Sequence, residues 1–294
     1  MVTIIESKDT PPADTAHLEF NVYRSPKDGR LSGDAVTDAW KVPQGHPLSI
    51  ERAKELIAGD LGDTYRSILS GCCAPIYWHQ RHGTGARILN SGTLTFVQTP
   101  KRLMAITAAH VVRGYESDHA DATWPIHLQV LNAMFNMEVI SVSDRLDLAT
   151  LAIDEELFSR VGKKIVPLST WPSRVPNEGG GIMLAGYPAI DRLEPKPMET
   201  NWGLFTALGI ARRVIGDQIT WVAERDYDIA TDLPPNHRLG GISGGPLIGW
   251  FESASYLTQY VLSGIISQAH EGLENVVARR ADFIGDDGSI FEPR

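Results

Sequence analysis

The sequence is poor in cysteine, and its two cysteines, Cys72 and Cys73, are neighbours in the chain. Adjacent cysteines rarely bridge each other, because the geometry of such a bridge is strained. A fold built on disulfides, as in many small secreted domains, is therefore excluded, and we expect a reducing cytoplasm as the location. No further cysteine is present to complete a cysteine-rich zinc site, and we expect neither a metal nor another cofactor.

Long apolar runs and an excess of positive charge are also missing. No stretch approaches the roughly 18 uninterrupted apolar residues of a membrane span, and the first residues lack the pattern of a secretory signal. The formal net charge is −9, whereas nucleic-acid-binding domains normally present a basic surface. We therefore expect neither a membrane nor a nucleic acid among the partners.

The composition is that of a chain that buries a core. Hydrophobic residues make up 43% and charged residues 21% of the 294 residues, which is typical of globular domains. The length suits one large or two ordinary domains. Residues 1–75 are mostly irregular, with one short helix predicted after Ser49 and a second around Tyr65, Ile68 and Leu69.

From about residue 76, short β-rich runs alternate with turns that contain glycine and proline. This texture predicts an all-β barrel or sandwich, and the lack of intervening long helical patterns disfavours a parallel α/β sheet. The glycine-rich segment 177–181 predicts a linker, and apolar residues within 273–284 predict a helix near the C-terminus. The predicted strands span residues 92–97, 103–107, 126–131, 138–142, 148–153, 181–185, 207–215, 219–222, 246–251 and 260–267.

A serine inside a glycine-rich turn is the first of three chemical motifs. The string Gly241-Ile-Ser-Gly-Gly-Pro246 surrounds Ser243 with glycines, which allow a tight turn and the close approach of a substrate. A serine hydroxyl becomes a nucleophile beside a base, and its tetrahedral intermediate needs N–H donors, a role that suits Gly241 and Ser243. Taken alone, the string is equally compatible with a glycine-rich hairpin.

The other two motifs place a histidine and an aspartate at the ends of apolar strands. His110 follows an apolar run and two alanines, which leave room for its ring at a strand end. Asp147 begins Asp-Leu-Ala-Thr-Leu, and a carboxylate beside a buried strand needs a donor. A histidine would satisfy it and have its tautomer fixed in return. Asp144 is a competing candidate, for which a surface ion pair with Arg145 is the simpler interpretation.

In chain order, His110, Asp147 and Ser243 supply a general base, its orienting acid and a nucleophile. Their segments, Thr107-Ala-Ala-His110, Asp147-Leu-Ala and Gly241-Ile-Ser-Gly-Gly-Pro246, resemble the three motifs of chymotrypsin/trypsin-fold serine peptidases of the simple bacterial type. The resemblance spans about residues 76–285. It also includes two strand segments of the second half, Leu184-Ala-Gly-Tyr-Pro188 and Ser263-Gly-Ile-Ile-Ser267.

This resemblance implies an all-β fold of two antiparallel six-stranded β-barrels. The first barrel, residues 76–178, would carry the histidine and the aspartate. The second, residues 179–294, would carry the serine and end in the predicted C-terminal helix. Residues 1–75 would form a partly helical N-terminal extension.

The resemblance further implies a cofactor-free serine endopeptidase that acts on a protein or peptide substrate. Ser243 would attack the scissile carbonyl, His110 would transfer the proton and Asp147 would orient the imidazole. The N–H groups of Gly241 and Ser243 would hold the oxyanion. Ser267 would support Asp147 and edge the cleft, and Gln268 and Ala269 would flank the specificity pocket.

Two positions depart from the digestive members of that family. The residue before the nucleophile is Ile242 instead of the aspartate that receives a freshly cut N-terminus. The position six residues before Ser243 is His237 instead of the aspartate of trypsin-like specificity. We include His237 among the substrate-binding candidates and expect no strong preference for lysine or arginine at the cut. Three upstream carboxylates remain alternative pocket charges: Asp226, Asp228 and Asp232.

One rival fails on its chain order, and two alternatives stay beside this interpretation. The serine motif also fits the nucleophile elbow of α/β-hydrolases, but those enzymes place an acid and then a histidine after the serine. The only later histidine here, His270, precedes the later aspartates Asp282, Asp286 and Asp287. A protease-fold interaction module that no longer cleaves is the first alternative. The second is an effector that cleaves one dedicated protein partner, which would dock on residues 1–75 unless that segment only packs on the body.

Overall fold

The all-β class expected from the sequence is confirmed by the computed structural model, in which strands dominate. All the residues that the structure describes lie within one compact unit, Val42–Arg294. The predicted helix after Ser49 lies outside them. The described residues are 59–81, 87–163, 173–196, 199–223, 228–231, 238–252, 258–270 and 275–293.

One antiparallel sheet is built from the first seven strands. They are β1 (Cys73–Arg81), β2 (Arg87–Gln98), β3 (Leu103–Thr107), β4 (Leu128–Val130), β5 (Ala133–Met134), β6 (Val139–Ser143) and β7 (Leu148–Ala152). Their order is β5-β4-β1-β2-β3-β7-β6. On β2, Leu94 and Phe96 join the apolar core of this sheet, whereas Thr93 and Thr95 alternate with them and are equally buried. Because neighbouring strand residues point to opposite faces, β2 presents two buried hydroxyls away from that core.

A second antiparallel sheet is built from later strands. It contains β8 (Gly181–Gly186), β11 (Phe205–Ile210), β12 (Arg213–Ile215), β13 (Gln218–Val222), β14 (Asp228–Thr231), β15 (Pro246–Glu252), β16 (Thr258–His270) and β17 (Asn275–Arg280), in the order β12-β13-β17-β16-β15-β8-β11-β14. Strands β9 (Arg192–Lys196) and β10 (Glu199–Trp202) form a separate pair. The predicted border between residues 178 and 179 falls between the last strand of the first sheet and the first strand of the second.

In the described part of the chain, three α-helices accompany the sheets: α1 (Asp60–Cys72), α2 (Ala109–Ala120) and α3 (Glu155–Arg160). The spacing of Tyr65, Ile68 and Leu69 correctly predicted α1, whose buried face packs with residues of β8 and β15 such as Met183 and Ile248. The expected end of the extension at residue 75 therefore lies within β1. None of the described helices combines the length and apolar character needed to cross a membrane.

Every strand predicted from the sequence overlaps an observed strand, but the predicted helix within 273–284 is wrong. Residues 275–280 form β17, and only Ala281–Phe283 make a short 3₁₀ turn. Strand β17 lies between β13 and β16, so Val276, Val277 and Ala278 are buried together. A strand covered on both faces shows a continuous apolar run, which periodicity alone does not distinguish from a helix.

The two cysteine thiols are free and buried at the end of α1. Both donate to the carbonyl of Leu69, at 3.4 Å from Cys72 and 3.1 Å from Cys73. The neighbouring Cys73 thiol and burial raise the pKa of Cys72 well above its usual range, so the reactive thiolate is scarce. We expect the native protein to resist iodoacetamide at mildly alkaline pH and the unfolded protein to take up two adducts, as read by intact mass. Fast alkylation of the native protein would contradict this burial.

Candidate active site

The imidazole of His110 lies directly against the carboxylate of Asp147. Its Nδ1 is 2.9 Å from Oδ2 and 3.0 Å from Oδ1 of that carboxylate. The backbone N–H of His110 also donates to Oδ1 at 2.9 Å. A carboxylate at Nδ1 favours the tautomer with its proton on that nitrogen, which leaves Nε2 free to accept another. The side chain of His110 is 53% exposed and that of Asp147 only 16%, so the acid is shielded and the base is accessible.

His110 occupies the first turn of α2, a helix that the sequence analysis missed. Helix N-termini leave backbone N–H groups without intrahelical acceptors, and Ala108 at the cap position has no side-chain oxygen to offer. Asp147 supplies the acceptor from another segment of the chain. A carboxylate at a helix N-terminus is also favoured by the helix dipole, so the same contact stabilises the helix and orients the ring.

Asp147 ends the turn between β6 and β7 in a left-handed backbone conformation, with φ of 50°. Apart from glycine, aspartate and asparagine are the residues that most readily adopt this conformation. Leu146 and Leu148 on either side are fully buried and anchor the turn. The competing Asp144 lies in the same turn, but its partner is Arg113, at 3.1 Å, and not the expected Arg145.

Ser243 lies in a sharp turn that leads into β15. Gly241 and Gly244 both have positive φ, 102° and 93°. A Cβ on Gly244 would come within 1.9 Å of a backbone carbonyl of β2, so only glycine fits there. The side chain of Ile242 is fully buried, and a Cβ on Gly186 would lie 2.5 Å from its Cβ. The position next to the nucleophile is thus anchored by apolar packing in the second sheet.

The N–H groups of Ser243 and its close neighbours differ in whether they find an acceptor among the described residues. The N–H groups of Ile242, Gly244 and Gly245 donate to backbone carbonyls. Those of Gly241 and Ser243 have no acceptor among the residues that the structure describes. Two such donors, one on the serine itself and one two residues before it, match what the oxyanion of an acyl-transfer intermediate requires.

The hydroxyl of Ser243 donates to the carbonyl of Ser267 at 3.3 Å and, within the part of the chain described, forms no hydrogen bond with His110. The two segments nevertheless meet on β2. A Cβ built on Gly92 would lie 2.8 Å from the side chain of Val111, the residue after His110, and 3.4 Å from the carbonyl oxygen of Ser243. The turn around Ser243, residues 240–244, is called the nucleophile turn below. This turn and the start of α2 therefore contact the same point of one strand.

The expected substrate-binding residues are only partly described. Ser267 is buried, and its hydroxyl donates to the carbonyl of Val277 at 3.2 Å; that Ser267 supports Asp147 stays a prediction. Gln268 is exposed and Ala269 half-buried. They lie on β16 beyond its last pair with β15 at Ile265. There, only β17 pairs with β16, so the other edge of these residues is unpaired among the described strands.

Of the remaining pocket candidates, only Asp228 belongs to the described residues. His237, Asp226 and Asp232 are outside the described residues, and Asp228 lies on β14, which pairs with β11. Within the described part of the chain, no group of three or more histidine, cysteine, aspartate or glutamate side chains is arranged to hold a metal ion.

Comparison with known proteins does not indicate a family for this chain. No family model matches the sequence, and a search of curated proteins finds no significant match. The functional conclusion therefore depends on the motifs of the chain and on the site that they form.

Proposed function

We propose that this protein is a serine endopeptidase of the chymotrypsin type and that its two large sheets correspond to the two barrels of that fold. The observation that carries the proposal is a histidine–aspartate pair and a serine turn that meet on one strand, with two N–H groups of the turn that find no acceptor among the described residues. Each motif alone has a simpler structural explanation. Acyl-transfer chemistry needs a base close to its nucleophile, and the contacts of both segments with one strand, β2, support that arrangement.

The proposed reaction uses only groups of this chain and water. Oγ of Ser243 attacks the scissile carbonyl carbon and transfers its proton to Nε2 of His110. The carboxylate of Asp147 stabilises the resulting imidazolium, and the N–H groups of Gly241 and Ser243 hold the oxyanion. The imidazolium then protonates the leaving amine, which departs as the C–N bond breaks. A water molecule, deprotonated by His110, hydrolyses the acyl-enzyme in the same way.

The edge of β16 that no described strand pairs with supports a peptide as the substrate. Residues 268–270 follow directly on Ser267, whose carbonyl accepts the hydroxyl of Ser243. An extended peptide that pairs with such an edge binds through its main chain. This mode would present its carbonyl groups next to the nucleophile, whatever the side chains are.

A catalytically silent interaction module is the second candidate, and one observation favours it. The hydroxyl of Ser243 hydrogen-bonds Ser267 and not His110. Catalytic hydrogen bonds, however, are often loose in ligand-free enzymes and tighten only in the complex. A binding module also has no need for a shielded carboxylate behind the histidine and free N–H groups around the serine.

A fluorophosphonate probe separates the two candidates, because it phosphonylates only an activated serine. We expect a single adduct on the native protein, located on the peptide that contains Ser243 by mass spectrometry. Heat-unfolded protein is the control and should remain unmodified. Native protein that takes up no adduct would favour the interaction module.

Activity should depend on pH through the histidine base. An imidazole accepts the proton of the serine only when it is neutral, and imidazoles typically take up a proton in the mildly acidic range. We therefore expect kcat/KM to fall as the pH is lowered from about 8 to about 6. The measurement is hydrolysis of an uncharged peptide substrate across this range. A profile that is flat down to pH 5 would contradict a histidine base.

A further inference from the structure

We propose that Thr93, a residue of β2 outside the triad, positions the nucleophile turn against the segment that carries His110; the catalytic part of this inference rests on the proposed function. Thr93 is fully buried, and it does not touch the reacting atoms. Its role would be to hold the geometry in which they meet.

Every polar group of Thr93 is used, and each binds a different residue. Its N–H donates to the carbonyl of Ser243 at 2.8 Å. Its hydroxyl donates to the carbonyl of Gly241 at 3.0 Å and accepts the N–H of Tyr187 at 3.0 Å. Its own carbonyl accepts the hydroxyl of Thr107 at 2.8 Å. One residue thus joins the nucleophile turn, the end of β8 and the end of β3.

These bonds belong to a pattern that fixes every peptide plane of the turn from Gly240 to Gly244. Each carbonyl from Gly240 to Gly244 is bound by a donor: in order, the N–H of Ala189, the hydroxyl of Thr93, the N–H of Gly245, the N–H of Thr93 and the hydroxyl of Thr95. A bound carbonyl fixes the plane of its peptide group, because the peptide bond is planar. The planes that carry the N–H groups of Gly241 and Ser243 are thus fixed through Ala189 and Gly245, and Thr93 fixes the plane that follows each of them.

Thr107 connects Thr93 to the segment that carries His110. This residue ends β3 and stands three positions before His110, and its fully buried hydroxyl binds Thr93. A Cβ on Gly244 would lie 2.2 Å from this hydroxyl, so the turn packs directly on the Thr93–Thr107 bond. A displacement of Thr93 would shift the serine and the histidine relative to each other.

Valine has nearly the shape of threonine but lacks the hydroxyl, so Thr93→Val would remove two of the four bonds with little change in volume. We expect kcat/KM for a peptide to fall by about 10²-fold, mainly in kcat, since a small misplacement of catalytic groups costs about that much. Thr93→Ser keeps the hydroxyl and should retain most of the activity. Amide hydrogen exchange of the segment 239–246, measured by mass spectrometry, should become faster in Thr93→Val and stay at the wild-type rate in Thr93→Ser.

Thr150→Val is the matched control. Thr150 is equally buried and lies in the same sheet, and its hydroxyl also donates to a backbone carbonyl, that of Gly288, at 2.6 Å. We expect this variant to shift the unfolding midpoint to a similar extent without changing kcat or the exchange of 239–246. Wild-type kcat and exchange in Thr93→Val, or equal losses in Thr150→Val, would overturn the proposal.

Two further outcomes are decisive. If Thr93→Val does not fold, Thr107→Val tests the same junction from the side of the base: a folded variant with lowered kcat supports the proposal, and unchanged kcat overturns it. If the wild-type protein neither cleaves peptides nor reacts with fluorophosphonate, the proposed function fails. The exchange comparison between Thr93→Val and Thr150→Val then still decides whether Thr93 holds the turn.

Discussion

Replacing Ser243 by alanine should abolish both peptide hydrolysis and fluorophosphonate labelling while the protein remains folded. The variant loses the only atom that can form the acyl-enzyme, and kcat should fall on the order of 10⁶-fold, as expected for a member of a triad that acts as a unit. His110→Ala should have nearly the same effect for the same reason. Stability should change little, because the half-buried hydroxyl of Ser243 makes a single hydrogen bond, to Ser267 at 3.3 Å, worth about 1 kcal/mol.

Ser263→Ala is the matched control for the serine variant. Ser263 is fully buried on β16, and its hydroxyl donates to the carbonyl of Val261 at 3.2 Å. Losing this hydroxyl should leave turnover and labelling at wild-type values. Hydrolysis that persists in Ser243→Ala, after removal of contaminating proteases, would end the peptidase interpretation.

Asp147→Asn should lower kcat on the order of 10⁴-fold, the magnitude associated with this change in the chymotrypsin-type triad. The carboxylate offers only acceptors to Nδ1 of His110, whereas an amide NH₂ group would donate to it and favour the tautomer with the proton on Nε2. That tautomer cannot accept the proton of the serine. The structure indicates that the fold would survive, because asparagine tolerates the positive φ of this position and its remaining oxygen can still accept the N–H of His110.

The choice of asparagine over alanine matters, because Asp147 also caps α2. Asp147→Ala would remove the acceptor of the His110 N–H, now at 2.9 Å, and loss of a helix cap typically costs about 1 kcal/mol. Asp144→Asn is the control in the same turn. Its ion pair with Arg113 is exposed, and exposed pairs contribute little, so kcat should be unchanged. Equal activity of Asp147→Asn and Asp144→Asn would show that Asp147 does not orient the base.

Much of the fold follows from local patterns in the sequence. Short runs rich in β-branched residues and bounded by glycine and proline marked strands such as β3, β7 and β15, because a pleated, half-buried strand selects these residues. The pattern failed at β17, where burial on both faces removes the alternation. It also failed at α2, which has no side-chain cap of its own and receives its acceptor from Asp147, a residue distant in the chain.

The candidate site divides in the same way. The residue types, their order and the glycines around Ser243 are properties of the sequence, since left-handed backbone and close packing at Gly241 and Gly244 demand glycine. From the sequence, Asp147 could be ranked above Asp144 only by its context. In the structure, the two carboxylates have different partners. Asp147 contacts the imidazole of His110, whereas Asp144 pairs with Arg113.

The sequence by itself determined the all-β class, the position of most strands and the three residues on which acyl-transfer chemistry would depend. Only the tertiary structure decided that the N–H groups of Gly241 and Ser243 find no acceptor in the described part of the chain and that Thr93 joins their turn to the segment of His110. The physical reason is that these contacts are hydrogen bonds of backbone groups or of common hydroxyls across two sheets. Every residue carries such backbone groups, so their pairing depends on strand register and turn geometry and leaves no pattern of residue types to detect.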